Sequence, residues 1–194
     1  YHGKWHLGDE LFAQHGFDEW IGVEDMYRKC YGEDRDPNTK SHYQHWLNAK
    51  GLTREDGGIF HRNESSSLPE EHGKPAFLAE ESSRFLQERA DDGKPFVLYV
   101  NYLEPHMPFF GPRDDQYPHD EVILPENFDY PPDETQPLRA RLTYGRHHEH
   151  GQGGEPLRTE ADWRKLIAQY WGLCSLVDTH TGTILDTLEE TGLT

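Results

Sequence analysis

Two short stretches carry side chains whose types and spacing could act on an anion. The first is Gly3-Lys4-Trp5-His6-Leu7-Gly8, a cation and an imidazole two positions apart between glycines. In an extended backbone alternate residues project to one side, so Lys4 and His6 would face the same way and could grip one anion. The same pair also reads as a surface lysine beside a structural histidine. The second stretch is Leu103-Glu104-Pro105-His106-Met107-Pro108-Phe109. A histidine between prolines has little backbone freedom, as a positioned acid or hydrogen-bond donor requires. A histidine merely satisfied within a proline-rich loop fits equally well. Asn101 and Glu104 flank this histidine, and could reach substrate hydroxyls or serve as solvated groups at a strand end.

Other candidates read more blandly. His147, His148 and His150 resemble a metal tract, but they sit among Gly145, Gly151, Gly153 and Gly154 without cysteine partners, as expected of a solvated loop. Asp178 falls among core positions of a helical pattern and suggests an internal cap or salt link. Cys30 and Cys174 have no C-x-x-C spacing and read as buried or idle thiols. Asn63-Glu64-Ser65 fits a glycosylation sequon, which matters only in a eukaryotic secretory setting.

Elements to position these groups can be read from caps and periodicity. Residues 1–30 suggest ordered aromatic loops around a short strand or turn. Ser41 to Lys50 reads as a short helix stopped by Gly51. A firmer helix runs from about Ala76 to Ala90, with Pro75 in its first turn, Leu78, Phe85 and Leu86 on one face, and Gly93 beyond its end. Pro95 to Asn101 is a continuous apolar run of strand length, which predicts a central strand covered on both faces. Residues 104–158 hold nine prolines and no helical period, so an irregular stretch is expected there. Thr159 with Asp162 suggests a capping box. Trp163, Leu166, Ile167, Tyr170, Cys174, Val177, Ile184, Leu185 and Leu188 then follow helical spacing to Gly192. Gly172 and Gly182 inside that helix would allow close packing or a bend. Helix, strand, helix points to an α/β sheet protein.

Composition narrows the function. Across 194 residues, 36 acidic and 19 basic side chains give a formal charge of −17, which argues against a nucleic-acid binder because such affinity rests on Lys and Arg. No run approaches the roughly 18 apolar residues of a membrane span. Aromatics at 12% are too many for a disordered chain.

Four motifs in order resemble the sulfatase family. Gly3-Lys4-Trp5-His6-Leu7-Gly8 looks like its second signature, and His15-Gly16-Phe17-Asp18-Glu19-Trp20-Ile21-Gly22 is similar to the segment that follows. Pro95 to Val100 leading into Pro105-His106-Met107-Pro108-Phe109 resembles its central strand and P-H-x-P-F loop, and Tyr170 to Leu193 resembles a helix of the family. The resemblance implies a partial alkaline-phosphatase-like α/β fold, with a mostly parallel central sheet flanked by helices. Residues 31–75 and 110–158 carry the variable parts.

The resemblance also implies a sulfuric ester hydrolase using formylglycine and calcium. In such an enzyme one oxygen of the hydrated formylglycine attacks sulfur, the alcohol leaves, and the other hydroxyl drives elimination of sulfate. Lys4 matches the lysine contacting the sulfate, His6 the histidine on the formylglycine hydroxyl, and His106 the histidine near the leaving oxygen. Neither cysteine lies in the C-x-P/A-x-R context of formylglycine, and the family's calcium ligands would fall outside residues 1–194. The expectation is therefore a central segment lacking the nucleophile region and the C-terminal part, with no metal ligand of its own, inactive alone. It would belong to a periplasmic or secreted enzyme acting on a sulfated small molecule or carbohydrate, with oligomeric state open. A phosphoester or phosphonate hydrolase of the same superfamily, or a binding protein on the same scaffold, is the alternative.

Overall fold

The computed structural model describes residues 1–128, 130–151 and 156–194. They form two compact units, residues 1–104 with 176–194, and residues 105–175. In the first, three short strands, β1 (His2–Gly3), β2 (Ile21–Gly22) and β3 (Val100–Asn101), pair in the order β2-β1-β3. Both pairings are parallel, with His2 opposite Ile21 and Val100, and Gly3 opposite Gly22 and Asn101. Gly3 sits at φ 127°, and a Cβ there would stand 2.0 Å from the Asn101 carbonyl oxygen, so only glycine lets β1 lie between its neighbours.

This register puts His2, Ile21 and Val100 on one face. Helices α1 (His42–Ala49), α2 (Arg62–Ser66) and α3 (Lys74–Asp92) follow β2. The Ser41 hydroxyl accepts from the Gln44 amide at 3.2 Å and starts α1. Leu78, Phe85 and Leu86 of α3 are buried, as their spacing predicts. Ile21 and Val23 pack with Tyr43, Trp46 and Leu47 of α1 and Phe77 and Leu78 of α3. On the opposite face Tyr1 stacks on Trp20 at 4.6 Å and meets Trp5 at 5.0 Å and Phe17 at 5.6 Å.

The run Pro95 to Asn101 departs from the expectation. It pairs on one side only, at the edge of the described sheet, and β1 is the middle strand. Phe96, Leu98 and Val100 are half-buried, Phe96 against Phe85 at 5.4 Å, while Val97 and Tyr99 are 73% and 55% exposed. Continuous apolarity does not distinguish a strand covered on both faces from one covered on a single face. A hollow of about 750 Å³ borders this run, lined by Tyr1, Phe17, Glu19, Phe85 and Phe96 among others. Its strand-side lining precedes β1 and β3, so it opens at the amino ends of the strands.

In the second unit, α4 (Leu138–His150) forms where an irregular stretch was expected. It buries no residue, so no apolar periodicity was needed to make it. His147, His148 and His150 lie in its last turn rather than in a loop; Gly153 and Gly154 lie outside the described residues. Helix α5 (Glu160–Glu190) begins with a reciprocal cap: Asp162 accepts from the Thr159 amide at 2.8 Å, and the Thr159 hydroxyl accepts from the Asp162 amide at 3.2 Å. Gly172 allows close packing, because a Cβ there would lie 2.5 Å from the Arg113 carbonyl oxygen; Gly182 has nothing within 4 Å. The buried positions of α5 are Ala168, Gly172, Leu173, Leu176 and Thr187, whereas Tyr170, Cys174 and Leu185 are exposed. Asp178 is exposed too, and makes neither the internal cap nor the salt link expected of it among the described residues. Cys30 and Cys174 are free and exposed, so of the two readings, buried or idle, the buried one does not hold.

Candidate functional site

Lys4, Glu24 and Glu104 each follow a different strand by one to three residues, so three parallel strands deliver charged side chains at their carboxyl ends. That is where ligands bind in open α/β sheets. The Lys4 amide donates to the Asn101 carbonyl at 3.0 Å, which fixes the backbone as it leaves β1. The Lys4 ammonium donates to the Tyr27 hydroxyl at 3.2 Å, lies 4.4 Å from the Tyr27 ring centroid and 3.8 Å from Glu24 Oε2. Arg62 Nε donates to that same Glu24 oxygen at 2.7 Å, and its Nη2 to the Tyr27 hydroxyl at 3.3 Å.

Burial opposes ionisation of Glu24, but Lys74, Arg62 and Lys4 outweigh it and hold the carboxyl below its usual range. Glu104 behaves oppositely. Burial pushes its carboxyl up, against the pull of Lys74, and its Oε2 is closed to solvent with no hydrogen-bond partner among the described residues. The two carboxyl groups are thus shifted in opposite directions, although Lys74 and Arg62 act on both.

His6 does not reach the site through an extended backbone. Its φ is 64°, in the left-handed region, and the turn is held by Glu10, which is 1% exposed and accepts from the Trp5 and His6 amides at 2.7 and 2.6 Å. The exposed His6 ring nevertheless lies 4.7 Å from the Tyr27 ring, tilted by 31°. Lys4 and His6 therefore meet on one tyrosine. Asn101 lies on the aromatic side, where its amide donates to the Tyr1 hydroxyl at 2.8 Å. His106 belongs to the second unit, is exposed, and has Nδ1 2.8 Å from the Met107 carbonyl oxygen. A carbonyl only accepts, so Nδ1 is the donor there and Nε2 of the neutral ring is an acceptor. Acting as an acid through Nε2 then requires the imidazolium.

Glu10, Glu24, Tyr27, Arg62 and Lys74 were not singled out from sequence. Glu24 follows the apolar Ile21-Gly22-Val23 by one residue, a strand-end position that could have drawn notice; Arg62 and Lys74 offer no local signal. Among the described residues, no group of three or more His, Cys, Asp or Glu is placed to hold a metal ion. No helix among them is long and apolar enough to cross a membrane.

A small parallel sheet flanked by helices, with a lysine and an adjacent imidazole following its middle strand, defines an α/β protein. The chain belongs to the sulfatase family, whose description matches residues 1–194. It is similar to the choline-sulfatase of Rhizobium meliloti (strain 1021), 27% identical over 198 aligned positions covering 97% of the chain. It is also similar to the multifunctional alkaline phosphatase superfamily protein PehA of Trinickia caryophylli, 29% identical over 135 residues covering 66% of the chain. The chain spans 36% and 26% of the lengths of these two relatives.

Proposed function

We propose that residues 1–194 are the central part of a hydrolase that cleaves sulfate esters of a carbohydrate or aryl alcohol. The observation that carries this reading is the Lys4 ammonium, placed at the end of β1 with His6 on the shared Tyr27 ring. The described residues supply no calcium ligand set, and Cys30 (Lys29-Cys30-Tyr31) and Cys174 (Leu173-Cys174-Ser175) lack the C-x-P/A-x-R setting of formylglycine. The nucleophile and the metal ligands are assigned, in this proposal, to residues outside 1–194. Within the chain, Lys4 offsets charge on the sulfuryl oxygens as it spreads in the transition state. His6 takes the proton that drives sulfate release, and His106, as imidazolium, supplies one to the leaving oxygen. Asn101 and Glu104 are weaker candidates for contacts to substrate hydroxyls. A periplasmic or secreted setting is part of the same proposal.

The test is hydrolysis of 4-nitrophenyl sulfate and choline sulfate by the full-length protein, beside Lys4→Ala, His6→Ala and His106→Ala. Each substitution is expected to lower kcat about 10²–10⁴-fold, and residues 1–194 alone are expected to show no turnover. Full activity in Lys4→Ala would sink the site. The likeness to PehA supports a second reading, phosphoester or phosphonate hydrolysis. Turnover of 4-nitrophenyl phosphate or a phosphonate monoester in preference to the sulfate would establish it, and turnover of none would leave a binding protein.

A further inference from the structure

Helix α4 stands out in this acidic chain. Arg28, Arg35, Arg54, Arg62, Arg84 and Arg89 are each paired with a carboxylate. Arg139, Arg141 and Arg146 of α4 are exposed and have no ion pair or hydrogen-bonding partner for their side chains among the described residues. At about 100° per residue, Arg139, Arg146 and His150 fall on one stripe with Leu142 and Thr143 between them. A shallow groove of about 400 Å³ runs along it, lined by Leu138, Arg139, Leu142, Thr143 and Arg146. Arg141 and His148 lie on the other side, where His148 stacks on Tyr144 at 6.0 Å.

We infer that the Arg139–Arg146 stripe of α4 is an anchoring site for a linear sulfated glycan. The two guanidinium positions are seven residues apart, about 10 Å along the helix, a span over which an extended chain bearing repeated anionic groups can meet both. Planar guanidinium groups engage such oxyanions through two parallel hydrogen bonds. A chain of net charge −17 repels polyanions at long range, so capture needs unpaired local cations of this kind. The stripe carries no Phe, Tyr or Trp on which successive bases could stack, since Tyr144 is on the opposite side, and the single imidazole of His150 makes no stacking platform, which disfavours single-stranded nucleic acid. Two copies of so acidic a chain repel each other, and Leu138 and Leu142 alone give little apolar area for a membrane surface. The choice of a sulfated glycan among polyanions rests on the sulfatase reading.

The experiment measures binding of fluorescein-labelled dextran sulfate to the full-length protein by anisotropy between 50 and 200 mM NaCl. Two neutralised charges predict a slope of log K against log salt of about −1.4, hence roughly sevenfold weaker binding across that range. Arg139→Gln/Arg146→Gln should weaken binding at least about fivefold at 50 mM and flatten the slope, Arg139→Lys/Arg146→Lys should keep the slope while weakening binding less than the glutamine pair, and Arg141→Gln should change it less than about twofold. Equal binding by the double glutamine variant, or equal loss in Arg141→Gln, overturns the inference. So does equally tight binding of unsulfated dextran, single-stranded DNA or phosphatidylserine vesicles, or dimerisation abolished by the double variant. Hydrolysis of 4-nitrophenyl sulfate should be unchanged in the double variant. If the wild type turns over no sulfate ester yet binds the sulfated chain through these arginines, the hydrolase reading falls and the anchoring site stands.

Discussion

Replacing Glu24 by glutamine asks whether the charges at the strand ends form one linked unit. Glu24 is 2% exposed, accepts from Arg62 at 2.7 Å and has the Lys4 ammonium at 3.8 Å. Glutamine preserves shape and one acceptor oxygen but removes the charge. Arg62 and Lys4, whose side chains are 12% and 8% exposed, would lose their carboxylate counter-charge and keep the Tyr27 hydroxyl, at 3.3 and 3.2 Å, with the Lys4 ammonium still 4.4 Å from the Tyr27 ring centroid. Removing one partner of a buried pair costs about 3–5 kcal/mol. The retained Tyr27 contacts place this case at the lower end, about 3 kcal/mol, or a fall in Tm of roughly 6–12 °C for a chain of this size. Arg62→Met should then cost at least about 1.5 kcal/mol less in the Glu24→Gln background than in the wild type. Urea unfolding of the four proteins, followed by tryptophan fluorescence, gives the cycle. A loss below about 1 kcal/mol in Glu24→Gln, or the same cost for Arg62→Met in both backgrounds, would refute the reasoning.

Three further outcomes are expected. Gly3→Ala should cost more than about 4 kcal/mol, because the new Cβ meets the Asn101 carbonyl oxygen at 2.0 Å with φ at 127°; near-normal stability by circular dichroism would contradict the register of β1 with β3. His2 is fully buried between Ser82 and Glu19, each at 3.1 Å, and burial holds its imidazole below the ordinary 6.5. The unfolded chain then binds a proton that the folded one refuses, so this stability is complete above about pH 6.5 and declines as pH falls below it. Urea midpoints between pH 7.5 and 5 should fall less in His2→Asn than in the wild type; equal slopes would exclude His2 as the source. Thr159→Ala removes one half of the α5 cap and should cost about 1 kcal/mol in the same assay.

The helices were legible where local chemistry makes them. Ser41, Pro75, Gly93 and the Thr159–Asp162 pair mark ends by capping groups within a few residues, and the structure uses each of them. Helix α4 was not legible, because a helix that buries nothing carries no apolar period, and its approach is rich in proline. The sheet was legible in kind but not in arrangement: two-residue strands such as His2–Gly3 have no β-propensity to read, and the place of Val100 at an edge is decided by pairing across the whole unit. Of the candidate site, Lys4 and His6 could be found because they are neighbours. The Glu24, Arg62 and Lys74 charges could not, since their meeting depends on three elements that the sequence separates by tens of residues.

That the middle strand of the described sheet is made by His2 and Gly3 has a consequence for the order in which the chain acquires its shape. β1 and β2 are 19 positions apart, whereas His2 and its other partner Val100 are 98 apart. Loop closure over those lengths costs roughly 2.5 and 4 kcal/mol, so the first pairing and the nearby packing of α1 on β2 should precede the second. At a synthesis rate of about 5–20 residues per second, β1 waits roughly 5–20 s before Val100 exists. Until then β1 lacks the partner that β3 supplies, beside the aromatic side chains of Tyr1, Trp5 and Trp20, the kind of surface that chaperones shield. Translation speed across residues 23–99, a property that leaves no trace in the finished fold, should therefore govern how much of the chain reaches it.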